Sequence, residues 1–354
     1  MTLPDSLLRV ERASLLGPDA GTLREPLSGL CLSDDDEVAG RALLRRAELG
    51  LNEGNIAATH PSRVEMASRY GEAIDDVTAA GPKLQEGSDH ELQARLLAAR
   101  LLIRTLRVSN AAEMLHATRD SVRGKHRRTR LSLALAQGEL ALDTGDYAEA
   151  DSMLRRAVGL ARGDAVAHDH YQAAMSVAAC QQLSGAPGGA VSWLRLARST
   201  AQRYGDALRV ADASFSLGNL LLAHDDVVGS RAALTEAVEA GLDPTSLPMA
   251  LMALSRIELG TANFVAGVQR AVEAAQAGAA AANAAAFADG TIIAAQCQMG
   301  LKRTDLAIET LDAGAKVLHQ RGEDQFARLV EMQKQEIMVG EGLVSPPEPD
   351  DPVT

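Results

Sequence analysis

The stretch Leu131–Leu160, LSLALAQGELALDTGDYAEADSMLRRAVGL, decides the fold. Small or apolar residues stand at Leu131, Leu135, Gly138 and Leu142, and again at Ala150, Leu154, Ala157 and Val158. Steps of three and four dominate, which is the period of an α-helix with one buried face. Between the two runs lies Gly145-Asp146-Tyr147. Glycine accepts the left-handed conformation that ends a helix, and aspartate accepts the free N–H groups that begin one. The stretch therefore reads as a helical hairpin. Counted from Leu131 as position 1, its small residues occupy positions 8, 20 and 27, with glycine at 15 and tyrosine at 17.

The pattern recurs. Gly145 has counterparts at Gly185, Asp225, Ala262 and Lys302, spaced 40, 40, 37 and 40 residues apart. Position 8 reads Gly138, Ala178, Gly218, Ser255 and Ala295; position 20 reads Ala150, Ala190, Ser230, Gly267 and Ala307. Position 24 reads Leu154, Leu194, Leu234, Ala271 and Leu311. A further copy precedes these, with Ala99, Ala111 and Leu115 at positions 8, 20 and 24, and Tyr70-Gly71-Glu72-Ala73 suggests another. Small residues are needed where two helices cross closely. A period near 40 means that each hairpin buries its apolar stripe on the next one.

These residues resemble the tetratricopeptide repeat in a form about six residues longer than the usual 34. Similar long hairpins occur in kinesin light chains, in peptide-sensing bacterial regulators and in sensor arms of large bacterial transcription activators. The resemblance implies an all-α, right-handed solenoid of antiparallel helix pairs with a capping C-terminal helix. It also implies a concave groove lined by the first helix of each hairpin. Carried over, position 5 is apolar throughout (Leu96, Leu135, Met175, Phe215, Met252, Ile292). Position 12 is apolar except at Gln182 (Ile103, Leu142, Leu222, Leu259, Met299), and position 9 includes Asn219 and Arg256. The carboxylate-clamp version of this groove needs lysine at position 5, where Phe215 stands beside Asn219. An apolar column containing methionines suits an amphipathic helix or apolar segment of a partner. Packing of the same column between hairpins is the competing reading.

Composition bounds the partners. A net charge of −12 disfavours nucleic acid, and aromatics are 3% of the chain. No apolar run approaches the roughly twenty residues of a membrane span. The N-terminus does not read as a signal peptide, so the cytoplasm is the expected location. The three cysteines lack CxxC spacing, and Cys180 and Cys297 share hairpin position 10 as small core residues. Homo-oligomerisation is compatible with the Ala-rich run at Ala279–Ala286.

Along the chain, residues 1–36 read as a flexible arm with a short helix near Leu7–Leu16, ending in an acidic N-cap at Asp34–Glu37. Residues 37–87 form a helical part, one degenerate repeat, with Arg41, Arg45 and Arg46 on a wetter side. Residues 88–322 are the repeats and 323–340 the cap, with Phe326, Leu329, Val330 and Ile337 facing the stack. Residues 341–354 are a disordered tail.

No phosphate loop, HExxH or nucleophile elbow appears, and no metal or cofactor is expected. The cluster Asp164, His168, Asp169 and His170 reads as a capping aspartate beside solvated histidines. The pairs Asp75-Asp76 and Asp225-Asp226 read as solubilising charges. Arg123, Lys125, Arg127, Arg128 and Arg130 stand out against the acidic background as a secondary electrostatic contact. The reading is a non-enzymatic adaptor or scaffold that binds protein or peptide. The alternatives are a peptide-responsive signalling regulator, and a hydrolase within residues 1–90 that no motif supports.

Overall fold

The computed structural model describes residues 6–7, 20–54, 63–161 and 167–344. The chain divides into two compact units, residues 1–220 and 221–354. The first holds α1 (Ala20–Cys31), α2 (Asp36–Gly54), α3 (Arg63–Ala80), α4 (Asp89–Arg104), α5 (Val108–Arg119), α6 (Arg127–Asp143), α7 (Tyr147–Leu160), α8 (Ala167–Leu183), α9 (Pro187–Tyr204) and most of α10 (Ala207–Ala223). The second holds α11 (Val227–Ala240), α12 (Ser246–Gly260), α13 (Phe264–Ala280), α14 (Ala284–Gly300), α15 (Thr304–Gln320) and α16 (Asp324–Gly340). No strand occurs among the described residues. Consecutive helices pack as pairs, α2 with α3, α4 with α5, α6 with α7 and α8 with α9 in the first unit. In the second, α12 pairs with α13 and α14 with α15, and α16 packs on α14 and α15.

The hairpin turns verify the register. Position 15 has a positive φ in all six repeats: Leu106 59°, Gly145 79°, Gly185 78°, Asp225 59°, Ala262 57° and Lys302 58°. The next residue then donates back to a carbonyl five positions earlier. Arg107 reaches Leu102 at 2.8 Å, Asp146 reaches Ala141 at 2.9 Å and Ala186 reaches Gln181 at 2.8 Å. Asp226 to Leu221, Asn263 to Glu258 and Arg303 to Gln298 are each 2.9 Å. This closure satisfies helix-terminal carbonyls. It is so regular that four non-glycine residues adopt a backbone conformation that costs an L-residue about 1–2 kcal/mol.

The small residues lie where the sequence requires them. Ala99, Ala178, Ser255 and Ala295 at position 8 are buried, as are Ala111, Ala150, Ala190, Ser230 and Ala307 at position 20. A methyl on Gly138 would stand 2.6 Å from Leu154 Cδ2, its position-24 partner across the hairpin. At Gly290 it would stand 2.7 Å from the Ala275 nitrogen and 2.8 Å from the Ala271 carbonyl oxygen, both backbone atoms of α13. Cys180 and Cys297 are buried.

Several local expectations change. The short helix expected near Leu7–Leu16 falls mostly outside the described residues. Instead of a loose arm, residues 20–31 form α1, which buries Leu27 against Val38, Ala42 and Leu49 of α2. In α16 the buried stripe is Ala327, Val330 and Ile337, while Leu329 is 50% exposed. Leu329 is one position off the 3–4 spacing of that stripe, so it turns outward.

Gly290→Ala should destabilise by about 1–3 kcal/mol, since α13 backbone must move to admit the methyl. Gly71→Ala, in α3 with nothing within 4 Å of the new methyl, should stabilise by about 0.5–1 kcal/mol through helix propensity alone. Thermal unfolding of the two variants checks the opposite signs.

Candidate functional site: a buried polar network on the first-helix face

Because each hairpin repeats the last, the same face of α2, α4, α6, α8 and α10 meets its counterpart at each step in the first unit. Arg100 in α4 and Glu139 in α6 both occupy position 9. They form a bidentate pair, Nη2–Oε1 2.8 Å and Nε–Oε2 3.0 Å, with side chains 8% and 2% exposed. Arg104 adds a third contact to Glu139 at 3.3 Å. Burial works against the Glu139 carboxylate, but Arg100 and Arg104 outweigh it and hold its pKa below the ordinary value.

A second pairing reaches further. Glu48 of α2 accepts from Arg45 at 2.6 Å and from Arg128 of α6 at 3.0 and 3.2 Å. Burial again opposes the charge, and Arg128 and Arg45 overcome it, so Glu48 also titrates low. Arg46 grips Asp76 of α3 through two contacts, 2.7 and 2.5 Å, and Ser28 of α1 at 3.2 Å. The expected wet side of α2 is thus an internal face. Arg41 is 9% exposed, Arg45 3% and Asp76 5%, because α1 and α3 cover α2 from both sides. Asp76 is a structural anion, whereas Asp226 caps α11 by accepting from the Gly229 N–H at 2.9 Å.

The network continues into α8 and α10. Tyr171 donates to Asp212 at 2.6 Å, and Arg209 stacks 5.7 Å from the Tyr171 ring centre and pairs with Asp206. His168 was expected in solvent; both ring nitrogens are shielded and neither has a hydrogen-bond partner among the described residues. Its pKa is pushed well down by burial, then by Arg209, Arg100 and Arg128. Asp169 is raised by burial, against the pull of Arg128 and Arg100. Asp164 lies outside the described residues, among which no group of three or more His, Cys, Asp or Glu side chains could hold a metal ion. Arg45, Arg100, Arg104, Arg128 and Arg209 each meet a carboxylate, so the network is electrostatically matched rather than an open anion hole.

The expected groove residues divide by burial, within each hairpin position. Leu96, Leu135 and Phe215 are 0%, 1% and 7% exposed, and Ile103 is also buried. Leu135 packs with Leu131, Leu154, Ala173 and Val177 between hairpins. Leu142 and Met175 in the first unit are half-buried, as are Leu222, Met252, Leu259, Ile292 and Met299 in the second. Asn219 and Arg256 are exposed, and Arg256 reaches Asp289 at 3.1 Å. The basic run disperses in three directions. Lys125 donates to the Gly87 carbonyl at 2.8 Å, and Arg127 to the Leu160 carbonyl at 2.6 Å. Arg128 goes to Glu48, while Arg123 and Arg130 line a cleft beside α7. Adjacent side chains on a helix point about 100° apart, so a run in sequence is not a patch in space.

Known structures share this fold. The fold is tetratricopeptide-like. A signal-transduction ATPase with numerous domains and a tetratricopeptide repeat sensor, from Pyrococcus horikoshii, matches with a TM-score of 0.60 and 14% identity over 93% of this chain and 52% of that one. The apo quorum sensor NprR from B. thuringiensis matches with 0.54 and 10% identity, over 87% and 82%. A Rap protein complexed with competence and sporulation factor matches with 0.53 and 10%, over 96% and 98%. At these identities the likeness is one of fold. No family model and no curated protein matches the sequence.

Removing one member of a buried pair strands the other charge. Arg100→Met should cost about 3–5 kcal/mol, and Arg100→Met with Glu139→Leu should recover most of it. Denaturant midpoints of the single and double variants measure the difference.

The His168 site carries a pH signature. The unfolded chain takes up a proton at His168 near pH 6.5, whereas the folded chain resists it. Unfolding therefore binds protons as pH falls below that value, and stability declines with it. His168→Leu should flatten the fall in Tm between about pH 7 and pH 5.5 relative to the parent. Taking the difference between the two profiles cancels Glu48, Glu139 and the other groups that titrate in both proteins.

Proposed function

We propose that the chain is a non-enzymatic adaptor that binds an amphipathic or apolar segment of a partner protein on its first-helix face. The observation that carries this reading is the set of half-buried large side chains in the second unit: Leu222, Met252, Leu259, Ile292 and Met299. They recur at positions 5 and 12 of α10, α12 and α14, so a ligand lying across those helices meets an apolar side chain at each step. Thioethers at Met252 and Met299 adapt to varied ligand shapes. Arg256 and Asp289, 59% and 47% exposed, place both signs of charge on the same face for the ligand's polar side. Leu142 and Met175 offer a smaller surface of the same kind in the first unit. In the first unit Leu96, Leu135 and Phe215 serve this reading as buried scaffold of the same helix face, and Asn219 as an exposed polar contact on it.

A peptide-responsive regulator is the second reading, favoured by the Glu48–Arg128 tie. That pair joins α2 to α6, two hairpins along, so a peptide that moves one hairpin against the next must strain or break it. The fold likeness to NprR and to the Rap protein complexed with a competence and sporulation factor supports this version by analogy of architecture. No helix among the described residues is long and apolar enough to cross a membrane.

Substitution should avoid the buried positions, because Leu135→Asp or Phe215→Asp would unfold the protein. Met252→Lys with Ile292→Lys should keep the helical circular dichroism spectrum and abolish capture of a partner from a source lysate. Full capture by that folded double variant would reject the second-unit stripe as the binding surface.

A further inference from the structure

The second helices carry a different feature. Helix α5 is only 12 residues long and gives way to a 3-10 turn at Asp120–Val122. Beside it a cleft opens between α5, α6 and α7, made of two adjoining cavities of about 430 and 260 Å³. Both are lined by Arg119, Gln137 and Glu149. The smaller also draws on Arg123, Arg130 and Arg156, which come from the turn after α5, from α6 and from α7.

Four guanidiniums thus converge on one cavity whose lining includes a single carboxylate, Glu149. Arg119, Arg130 and Arg156 are exposed, and none makes an ion pair or side-chain hydrogen bond among the described residues. Arg123 meets only Asp120, at 3.4 Å, with both side chains more than 80% exposed. Such a pair contributes little and is readily exchanged. On a chain of net charge −12, this is a local reversal of sign.

We infer that the cleft docks an acidic, leucine-bearing segment of a partner protein, at a site separate from the first-helix face. Guanidinium forks match carboxylates in planar, bidentate geometry. Between them the lining carries apolar side chains, Leu133 and Met153 in one cavity and Leu115 and Leu140 in the other, among polar ones such as Gln137. Two joined cavities exceed what a lone phosphate fills, and these apolar side chains suit leucines set between the charges. No Phe, Tyr or Trp lines the cleft to stack successive bases, and His116 supplies its single imidazole, which separates it from the aromatic platforms of single-strand nucleic-acid sites.

The test uses the full chain and a fluorescein-labelled synthetic peptide alternating glutamate and leucine. Three competitors accompany it: the lysine–leucine counterpart, a glutamate–glycine peptide, and inorganic pyrophosphate. The glutamate–leucine peptide should bind, with affinity that falls as salt rises. Arg130→Glu with Arg156→Glu should weaken it by at least about tenfold. Arg328→Glu, an exposed change on α16, should leave binding unaltered, as should Met252→Lys with Ile292→Lys, which keeps this site distinct from the proposed groove. Failure of the glutamate–leucine peptide to bind overturns the assignment. So does equal binding by the glutamate–glycine peptide, or displacement by pyrophosphate at concentrations matching the peptide's own affinity, since either would mark a simple anion site.

Discussion

The contact on which the structure depends is the one between position 8 of one helix and position 24 of its partner. At Gly138 and Leu154 no space remains for even a methyl group. That closeness sets the distance within the hairpin, and the distance sets how the next hairpin can seat. Gly267 shows the consequence one step on: a methyl there would press on Cys297 Sγ, 2.6 Å away in α14. Dispersion energy falls steeply with separation, so a stack of helices poor in aromatics gains stability by approaching closely rather than by filling volume. The left-handed residue at each turn follows from the same demand. Closure must be tight whatever residue is present, so Leu106, Asp225, Ala262 and Lys302 adopt the conformation that glycine takes at Gly145 and Gly185.

Tight stacking also explains the polar interior of the first unit. When successive first helices lie this close, long side chains on their shared face cannot all reach water. Arg100, Arg128, Glu48 and Glu139 are enclosed, and an enclosed charge is tolerated only with its partner in place. The pairs therefore act less as a source of stability than as a condition on geometry. A shift of α2 along α6 would strand Glu48, and a shift of α4 against α6 would strand Arg100. Packing of alanine and leucine alone discriminates weakly between such registers.

How much of this was legible in the sequence follows from the range of each interaction. The hairpins, their turns and the small crossing residues are encoded within about 30 residues of each other and repeat, so they could be read directly. The Arg100–Glu139 pair left a fainter signal. Its members stand at the same hairpin position with opposite charge, and comparing position 9 between neighbours would have exposed it. Glu48–Arg128 left none, because its partners are 80 residues apart and only the stacking of α2 over α4 and α6 brings them together. Helix α1 was obscured by Pro26 and by flanking glycines, which weigh against a helix locally, while Leu27 gains its burial from α2. His168 was misread for a related reason: a histidine near a helix start looks solvated until the next hairpin covers it.

The dispersal of the basic run shows what divides the two faces. Arg128 is 15% exposed, where little water reaches it, so Glu48 neutralises it. Arg130, two residues on and rotated by about 200° around the helix, sits beside water and can remain unpaired, since solvent screens it at little cost. Unpaired cations therefore collect only where the stack leaves an opening, and paired ones only where it closes. A matched interior resists ionic ligands, because any incoming charge must displace a partner of equal sign already in contact. An open cleft with surplus charge offers the opposite balance, since a carboxylate entering it exchanges water for guanidinium without breaking an internal pair. On the proposed reading, recognition on the first-helix face therefore falls to its half-buried apolar side chains, and recognition in the cleft beside α5 to charge.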